Sequence, residues 1–274
     1  MQVIDLTRAS DNYKVITFPD GELHLELTKP IKDGIVKVCC RITNANDLFI
    51  LMQLSDILKR QSVILDRLTI FYLMGMRCDR VFEINRPFTL KVMTDVINSF
   101  NARRVDLIEP HSFRSVRMTD NAKNVRTTIG IANELTAGDN DMLFVAPDNG
   151  AFERYGENLA FAVVCNKVRD VSTGDLLGFE ANEIISVKGR DLLMIDDLCD
   201  GGGTFVGLAP KVRELEPKSL SLAVTHAVQL AGIKRVAEVY DKVYITNTYK
   251  EWQDEELPTN VTVLDVRNLG ILPY

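Results

Sequence analysis

The sequence predicts an α/β protein of two domains, each built on a mostly parallel sheet flanked by helices. The chain has 274 residues, and a domain takes roughly 150 residues on average. Short apolar runs alternate with longer segments of helical period, which is the order typical of parallel sheets. The alternation restarts after a polar stretch at 119–126. We therefore predict domains of 1–122 and 123–274.

The first half alternates strands and helices from residue 36 onward. Apolar runs predict strands at 36–42, 68–73 and 105–108. The segments between them, 45–60 and 89–100, have the 3.6-residue period of helices. This β-α-β-α-β order predicts a parallel sheet in the first domain.

The second half repeats this organisation with more strands. Apolar runs predict strands at 142–146, 192–195, 219–224 and 243–246, and helical period predicts helices at 153–164 and 205–215. The polar segment 167–181 has neither period, so we predict a functional loop there. The apolar tail 263–274 is predicted to pack back on one domain.

Composition excludes several classes of protein. Hydrophobic residues make up 46% and charged residues 26%, the balance of a globular chain. The net charge of −6 argues against a nucleic acid or a membrane as partner. Residues 1–11 lack the apolar stretch of a signal peptide, and no run approaches the roughly 18 apolar residues of a membrane span. The five cysteines lack metal-ligand spacing, so we expect reduced thiols in a cytoplasmic protein.

The segment 192–204 carries the strongest functional signal. Its apolar run is followed by an acid pair, a third acid, three glycines and a threonine: Asp196, Asp197, Asp200, Gly201, Gly202, Gly203 and Thr204. Ligands of open α/β sheets bind beyond the carboxyl ends of the strands. Consecutive glycine N–H groups and the start of a helix bind anions, and Thr204 could cap that helix and donate its hydroxyl.

The acid pair suits another part of the same ligand. Carboxylates repel phosphate, but they accept the hydroxyl protons of a ribose diol. An acid pair followed by a glycine turn therefore predicts a site for a 5-phosphorylated ribose. The alternative is a glycine-rich turn whose acids serve only solubility, and it is disfavoured because charges directly after a buried strand are costly.

The segment resembles the ribose-phosphate loop of type I phosphoribosyltransferases and of phosphoribosyl pyrophosphate synthetases. Six further segments resemble the synthetases in particular. They are similar to the adenine loop (18–22), the triphosphate segment (72–80), the metal-ATP segment (109–111), the Ser-Pro-Asp segment beside the ribose (146–150), the Lys-Arg loop (166–169) and the Thr-His segment (224–228). Together they cover nearly the whole chain in the family's order.

The resemblance implies two type I phosphoribosyltransferase-type domains with the active site in the cleft between them. It implies an ATP-dependent diphosphotransferase that moves the β,γ-diphosphate of Mg-ATP to the C1 hydroxyl of ribose 5-phosphate. The products would be AMP and phosphoribosyl pyrophosphate, which serves nucleotide biosynthesis. The implied partners are ATP and the sugar, the implied cofactor is Mg²⁺, and the implied assembly is a homo-oligomer, a dimer or a hexamer, whose adenine loop serves a neighbouring subunit.

Residue by residue, the resemblance assigns four groups of side chains. The catalytic residues would be Lys167, Arg169 and His111, and the metal ligands His111 and Asp148, with contact through coordinated water as the alternative for His111. ATP would be bound by Phe18, Asp20, Glu22, Arg77, Asp79 and His111, and the ribose phosphate by Asp196, Asp197 and residues 200–204. Lys167 and Arg169 could instead be a solvated pair, Arg77 a structural partner of Asp79 or Glu83, and His226 a buried core residue, so His226 is left out of the site.

Some positions depart from the family's pattern. Cys78 replaces a glutamine, Glu109 replaces an aspartate, and Gly201 replaces a threonine. The last change removes a hydroxyl donor, worth about 1.5–3 kcal/mol toward a charged acceptor, and opens space beside the phosphate. This favours ADP-ribose as an alternative acceptor, giving ADP-ribose pyrophosphate for NAD biosynthesis from nicotinamide. Two other classes remain open, a phosphoribosyltransferase and a non-catalytic regulatory homologue.

Overall fold

The computed structural model describes residues 1–81, 83–137, 141–169 and 176–270, except for the side chains of 168, 169 and 176. The chain divides into two compact units, Met1–Val125 and Arg126–Tyr274. Both units are α/β with mostly parallel sheets and helices packed on them, so the predicted fold class is confirmed. The division falls after residue 125 rather than 122, because the short strand at 122–125 pairs with the first sheet.

The first unit contains a five-stranded, fully parallel sheet. Its elements are β1 (Gln2–Asp5), β2 (Tyr13–Thr17), β3 (Leu23–Leu27), β4 (Ile35–Ile42), α1 (Ala45–Arg60), β5 (Ile64–Leu73), α2 (Thr89–Asn98), β6 (Arg104–Ile108), α3 (Phe113–Met118) and β7 (Ala122–Val125). The order in the sheet is β1-β4-β5-β6-β7, and β2 and β3 form a separate antiparallel hairpin.

Helix α1 shows why its predicted bounds agree with the structure. The Asn44 side chain accepts the N–H groups of Asn46 and Asp47, and the Asp47 carboxylate accepts the Asn44 N–H in return. This capping box fixes the start of the helix, and Leu51, Leu54 and Leu58 form its buried face.

The second unit contains a seven-stranded sheet. Its elements are α4 (Thr127–Thr136), β8 (Leu143–Ala146), α5 (Asn149–Tyr155), β9 (Phe161–Arg169), β10 (Leu176–Glu183), β11 (Asp191–Cys199), α6 (Gly203–Arg213), β12 (Ser219–Ala227), α7 (Leu230–Ala237), β13 (Lys242–Thr246) and β14 (Val261–Leu264). The order is β10-β9-β8-β11-β12-β13-β14, in which β10 is antiparallel to β9 and the other pairs are parallel.

Helices cover both faces of this second sheet. Leu192 and Met194 of β11 belong to one apolar cluster, which includes residues of α6 and α7. Leu193 and Ile195 belong to another, which includes residues of α4 and α5. Alternate residues of β11 belong to different apolar clusters, because both faces of the sheet are covered. The central strands are therefore apolar throughout, which explains why they were predicted correctly.

Three predicted elements of the second unit are corrected. The helix at 153–164 is wrong: α5 ends at Tyr155, and the aromatic and β-branched residues from Phe161 onward form β9. The loop at 167–181 is wrong over its described parts, because residues 167–169 end β9 and 176–181 belong to β10. Its middle, 170–175, lies outside the described residues. Strand β11 continues four residues beyond the predicted Ile195, since Asp196 and Leu198 pair with β12.

The remaining predictions concern the tail, the thiols and membranes. Residues 263 and 264 of the tail belong to β14 on the second sheet and Val266 is buried, whereas 271–274 lie outside the described residues. All five cysteines are free thiols. Burial raises the pKa of Cys165 and of Cys199 to about 12 each. No helix in the described part of the chain is long and apolar enough to cross a bilayer.

Candidate functional site

In the second unit, the predicted site residues lie at the carboxyl ends of neighbouring parallel strands. Asp148 follows β8, Lys167 is near the end of β9, and Asp196 and Asp197 are near the end of β11. Strand β8 pairs with both β9 and β11, so these ends share one edge of the sheet. The parallel topology therefore brings together side chains that are about 50 residues apart in sequence (148 to 197), as expected for a ligand site of an α/β sheet.

The turn at 200–203, called the glycine turn below, joins β11 to α6. Gly202 precedes the helix in a left-handed conformation with φ of 74°. A Cβ at Gly202 would lie 2.8 Å from the carbonyl oxygen of Gly232 on α7, so the close approach of α7 also requires glycine here. Gly202, and not Thr204 as predicted, is the N-cap residue of α6. Thr204 lies in the first turn of the helix.

Helix α7 holds the glycine turn from its outer side. Gln229 Nε2 donates to Asp200 Oδ1 at 2.7 Å, and Arg235 Nη1 donates to the carbonyl oxygen of Gly201 at 3.0 Å. Gly203 and Thr204 begin α6, so their N–H groups have no intrahelical acceptor and can meet an anion. The Gly202 backbone acts to lower the pKa of the Cys199 thiol, against the larger effect of burial.

The two acids of the pair have different surroundings. Asp197 is buried, and its Oδ1 lies 2.5 Å from Arg154 Nη1. Asp196 has 16% of its side chain exposed, and its Oδ1 accepts the Asp197 N–H at 2.9 Å. Burial and the charge of Asp197 raise the pKa of Asp196 well above its usual range, while Arg154 opposes the rise.

Asp148, the predicted metal ligand, lies at the start of α5. Its Oδ1 accepts the Ala151 N–H at 2.9 Å as the N-cap of α5, and its charge contributes to the raised pKa of Asp196. Among the described residues no group of three or more His, Cys, Asp or Glu could hold a metal. Mg²⁺ needs only one or two carboxylates, with water and phosphate oxygens as its other ligands. The single carboxylate of Asp148 is compatible with this ligand set.

Lys167 and Arg169, predicted to supply positive charge to the transferring group, lie on strand β9 rather than on a loop. Lys167 is half-buried on β9 and pairs in register with Phe179 of β10. The Phe179 ring is so close to Gly207 of α6 that a Cβ there would lie 2.0 Å from the ring. The hairpin is therefore packed directly on α6. Arg169 ends β9, and its side chain lies outside the described residues.

In the first unit, the predicted ATP segments follow β5 and β6, which are neighbours in the sheet. Asp79 joins them, because its Oδ2 accepts the Ser112 hydroxyl at 2.7 Å and its carbonyl oxygen accepts Arg114 Nη1 at 3.1 Å. Arg77 is exposed and His111, next to Ser112, is half-buried. Arg80 forms an ion pair with Asp79, and Arg86 forms one with Glu83.

The predicted adenine loop is the turn of the β2–β3 hairpin. The Phe18 N–H donates to the Glu22 carbonyl oxygen at 2.8 Å, and the Glu22 N–H donates to Asp20 Oδ1 at 3.1 Å. Phe18 has 42% of its surface exposed, which is high for a phenylalanine. An exposed aromatic ring on a tight turn suits stacking on a base.

Three residues of the site were missed in the sequence: Arg154, Gln229 and Arg235. Each acts through an α-helix that packs against the site, and no local motif marks them. His226 is fully buried, with Nδ1 2.9 Å from Thr248 Oγ1, as the core alternative requires.

Replacing Asp79 by Ala is expected to destabilise the protein by about 1–3 kcal/mol, because Ser112 and Arg80 lose a charged acceptor. Urea unfolding would measure this. Hydrogen bonds from Arg80 and Ser112 hold the pKa of Asp79 below its usual value although burial opposes them. The stabilisation is therefore complete above the unfolded pKa, about 3.9, and is lost as the pH falls through the folded pKa. Glu83→Ala, which breaks an exposed ion pair, should change stability by less than about 1 kcal/mol; equal effects would contradict the structural role of Asp79.

The ribose-phosphate pyrophosphokinase of Pyrococcus abyssi is 25% identical over 268 residues, covering 93% of this chain and 87% of the relative. That of Campylobacter jejuni is 29% identical over 263 residues, covering 91% and 82%. The crystal structure of phosphoribosylpyrophosphate synthetase from Mycobacterium smegmatis matches with a TM-score of 0.77 at 20% identity, covering 98% of this chain and 96% of that one. No family model matches the chain.

The fold is of the type I phosphoribosyltransferase type, with two α/β units in one chain. The resemblance drawn from the motifs is confirmed by the sequence relatives. The chain is similar over most of its length to members of the phosphoribosyl pyrophosphate synthetase family, which are also named ribose-phosphate pyrophosphokinases.

Proposed function

We propose that the protein is an ATP-dependent diphosphotransferase that transfers the β,γ-diphosphate of Mg-ATP to the C1 hydroxyl of ribose 5-phosphate. The relatives support the reaction class, since they are named ribose-phosphate pyrophosphokinases. The observation that carries the proposal is the arrangement at the end of β11. A partly exposed carboxylate, Asp196, immediately precedes a turn whose first helical amides, Gly203 and Thr204, can meet a phosphate. A 5-phosphorylated ribose needs a carboxylate for its diol followed by amides for its phosphate, and the site has the two in this order.

In the proposed reaction, the C1 hydroxyl oxygen of the sugar attacks the β-phosphorus of ATP and its proton passes to water. The bond from that oxygen to phosphorus forms, the bond between the α,β-bridging oxygen and the β-phosphorus breaks, and AMP leaves with the electron pair. Asp196 accepts the hydroxyl protons of the sugar, and the N–H groups of Gly203 and Thr204 hold its 5-phosphate. Lys167 supplies positive charge to the transferring group. Bound Mg²⁺, held by Asp148 and phosphate oxygens, would neutralise the charge of the diphosphate.

The first unit would hold the nucleotide. Asp79 ties the 77–80 segment to the 111–114 segment, so Arg77 and His111 are carried on backbone fixed by the same carboxylate. The exposed ring of Phe18 is available for a base. A phosphoribosyltransferase or a non-catalytic homologue would have no use for these features. Purified protein should release AMP from ATP only when Mg²⁺ and a phosphorylated pentose are both present. Turnover with a nucleobase and without ATP would contradict the proposal, and so would the absence of AMP.

A second candidate acceptor is ADP-ribose, with the same chemistry. One observation favours it. A Cβ added at Gly201 would meet no atom within 4 Å, so there is room beside the proposed phosphate position. The guanidinium of Arg235 is exposed and is fixed to the Gly201 carbonyl oxygen. A second phosphate attached to the first would enter the space next to this cation.

Competition between the two sugars would decide the acceptor. The enzyme is given Mg-ATP and equal concentrations of ribose 5-phosphate and ADP-ribose. If it is specific for ADP-ribose, it should form at least about ten times more ADP-ribose pyrophosphate than phosphoribosyl pyrophosphate, since one charged contact is worth about 1.5–3 kcal/mol. Chromatography of the two pyrophosphorylated products measures the ratio. Phosphoribosyl pyrophosphate as the sole product would exclude ADP-ribose and leave the main proposal intact.

A further inference from the structure

The acid pair of β11 is asymmetric, and the asymmetry comes from one arginine. Arg154 Nη1 lies 2.5 Å from Asp197 Oδ1 and 3.7 Å from Asp196 Oδ1. The Asp197 side chain is 2% exposed, against 16% for Asp196. One acid is thus buried in an ion pair, and its neighbour is turned partly toward solvent.

The position of the Arg154 side chain is fixed by its contact with Tyr155 and by the buried residues that hold Tyr155. Its guanidinium lies 5.5 Å from the centre of the Tyr155 ring, and Thr128 Oγ1 donates to the Tyr155 hydroxyl at 3.2 Å. Thr128 also shares a hydrogen bond of 3.0 Å with Thr225 of β12. Tyr155, Thr128 and Thr225 are fully buried. The cation is therefore anchored through α5, α4 and β12 and does not depend on a ligand for its position.

We propose that Arg154 is a positioning residue: it binds Asp197, so that Asp196 alone presents its carboxylate to the diol of the acceptor sugar. The inference rests on the proposed function, because it assumes that a sugar diol is the ligand of this acid pair. It differs from the prediction made from the sequence, in which both acids bind the sugar. In this arrangement Asp197 binds Arg154, and Asp196 contacts the sugar.

Physical chemistry explains why such a support is needed. Two carboxylates on adjacent residues repel each other, and an unpaired buried charge is costly. With Arg154 in place, the charge of Asp197 is compensated, and the same guanidinium works against the rise in the pKa of Asp196. Without it, the buried charge of Asp197 would be uncompensated directly beside Asp196.

The test uses Arg154→Met, Asp197→Asn and the double variant, with Arg190→Met as a control for a surface arginine of the same unit, paired with exposed Asp141. The KM for the acceptor sugar, the KM for ATP and kcat are measured for each, together with the melting temperature. Each single variant should raise the KM for the sugar at least about tenfold, a usual size for coupled charges, and leave the KM for ATP unchanged. Arg154→Lys should recover part of the loss.

The double variant separates the two roles of Asp197. If Asp197 only anchors Arg154, removing both charges relieves the unpaired group, and the KM for the sugar returns to within about threefold of the wild type. If Asp197 binds the sugar directly, the double variant is as poor as Asp197→Asn, and the inference is overturned. If the wild type is active and Arg154→Met has the same KM for the sugar as the wild type, the inference is also overturned. A wild type that releases no AMP with either sugar overturns the proposed function, and this inference with it.

Discussion

Replacing Lys167 by Met is expected to lower the rate of AMP release about 10³-fold, the loss typical of a cation that faces a transferring phosphoryl group. Lys167 lies near the carboxyl end of β9, three residues after Val164, and Asp148 lies two residues after Ala146, the partner of Val164 in β8. The proposed cation and the proposed metal ligand thus share one edge of the sheet. The Phe179–Gly207 contact holds the hairpin on α6, so the position of Lys167 is set before any ligand binds.

The loss should appear in kcat more than in either KM, since charge on the transferring group is greatest in the transition state. Initial rates of Mg-dependent AMP formation would measure it. Lys211→Met is the matched control, because Lys211 is exposed on α6 and pairs with Glu214 at the surface. A change of less than about threefold in Lys167→Met would favour the solvated-pair alternative for Lys167.

The sequence predicted the elements whose residues carry a single strong pattern. The central strands β4, β5, β11 and β12 are covered on both sides, so their runs are apolar throughout and easy to recognise. The partly wrong elements lie at the edge of the second sheet. Strand β10 faces solvent on many of its residues, so its polar sequence was taken for a loop. Short elements such as β1, β7 and α3 were missed because four to six residues show no period.

The site was predicted only where its residues are local in sequence. The acid pair and the glycine turn form one motif, and the structure gives it the expected place at the end of a strand. Arg154 is 42 residues before Asp196 (196 − 154) and Arg235 is 34 after Gly201 (235 − 201). Both reach the motif through helix packing, which depends on the tertiary fold. The close approach of Gly232 to Gly202 is likewise a matter of backbone geometry that residue types do not specify.

Replacing Asp196 by Asn should abolish detectable turnover and yet stabilise the protein. Burial and the charge of Asp197 raise the pKa of Asp196 in the folded state. The ionised carboxylate is therefore less favourable in the folded chain than in the unfolded chain, where the pKa is about 3.9. For a group with a raised pKa, this cost is absent below the unfolded pKa and grows as the pH rises toward the folded pKa. Asparagine removes the charge and keeps the shape, so the cost disappears at neutral pH.

The melting temperature of Asp196→Asn at pH 7, without Mg²⁺ or nucleotide, should exceed that of the wild type by at least about 2 °C, the shift that 1 kcal/mol produces in a domain of this size. The difference should vanish below about pH 3, where the wild-type carboxyl is protonated in both states. Asp191, at the other end of β11, is the matched control. Lys218 and Ser219 lower its pKa, so Asp191→Asn should lose stability at pH 7 and leave the KM for the sugar unchanged. If Asp196→Asn raises the stability of the fold and Asp191→Asn lowers it, the Asp196 carboxylate is retained at a cost to folding. That cost is explained if a ligand needs its charge, and an active Asp196→Asn enzyme would remove the explanation.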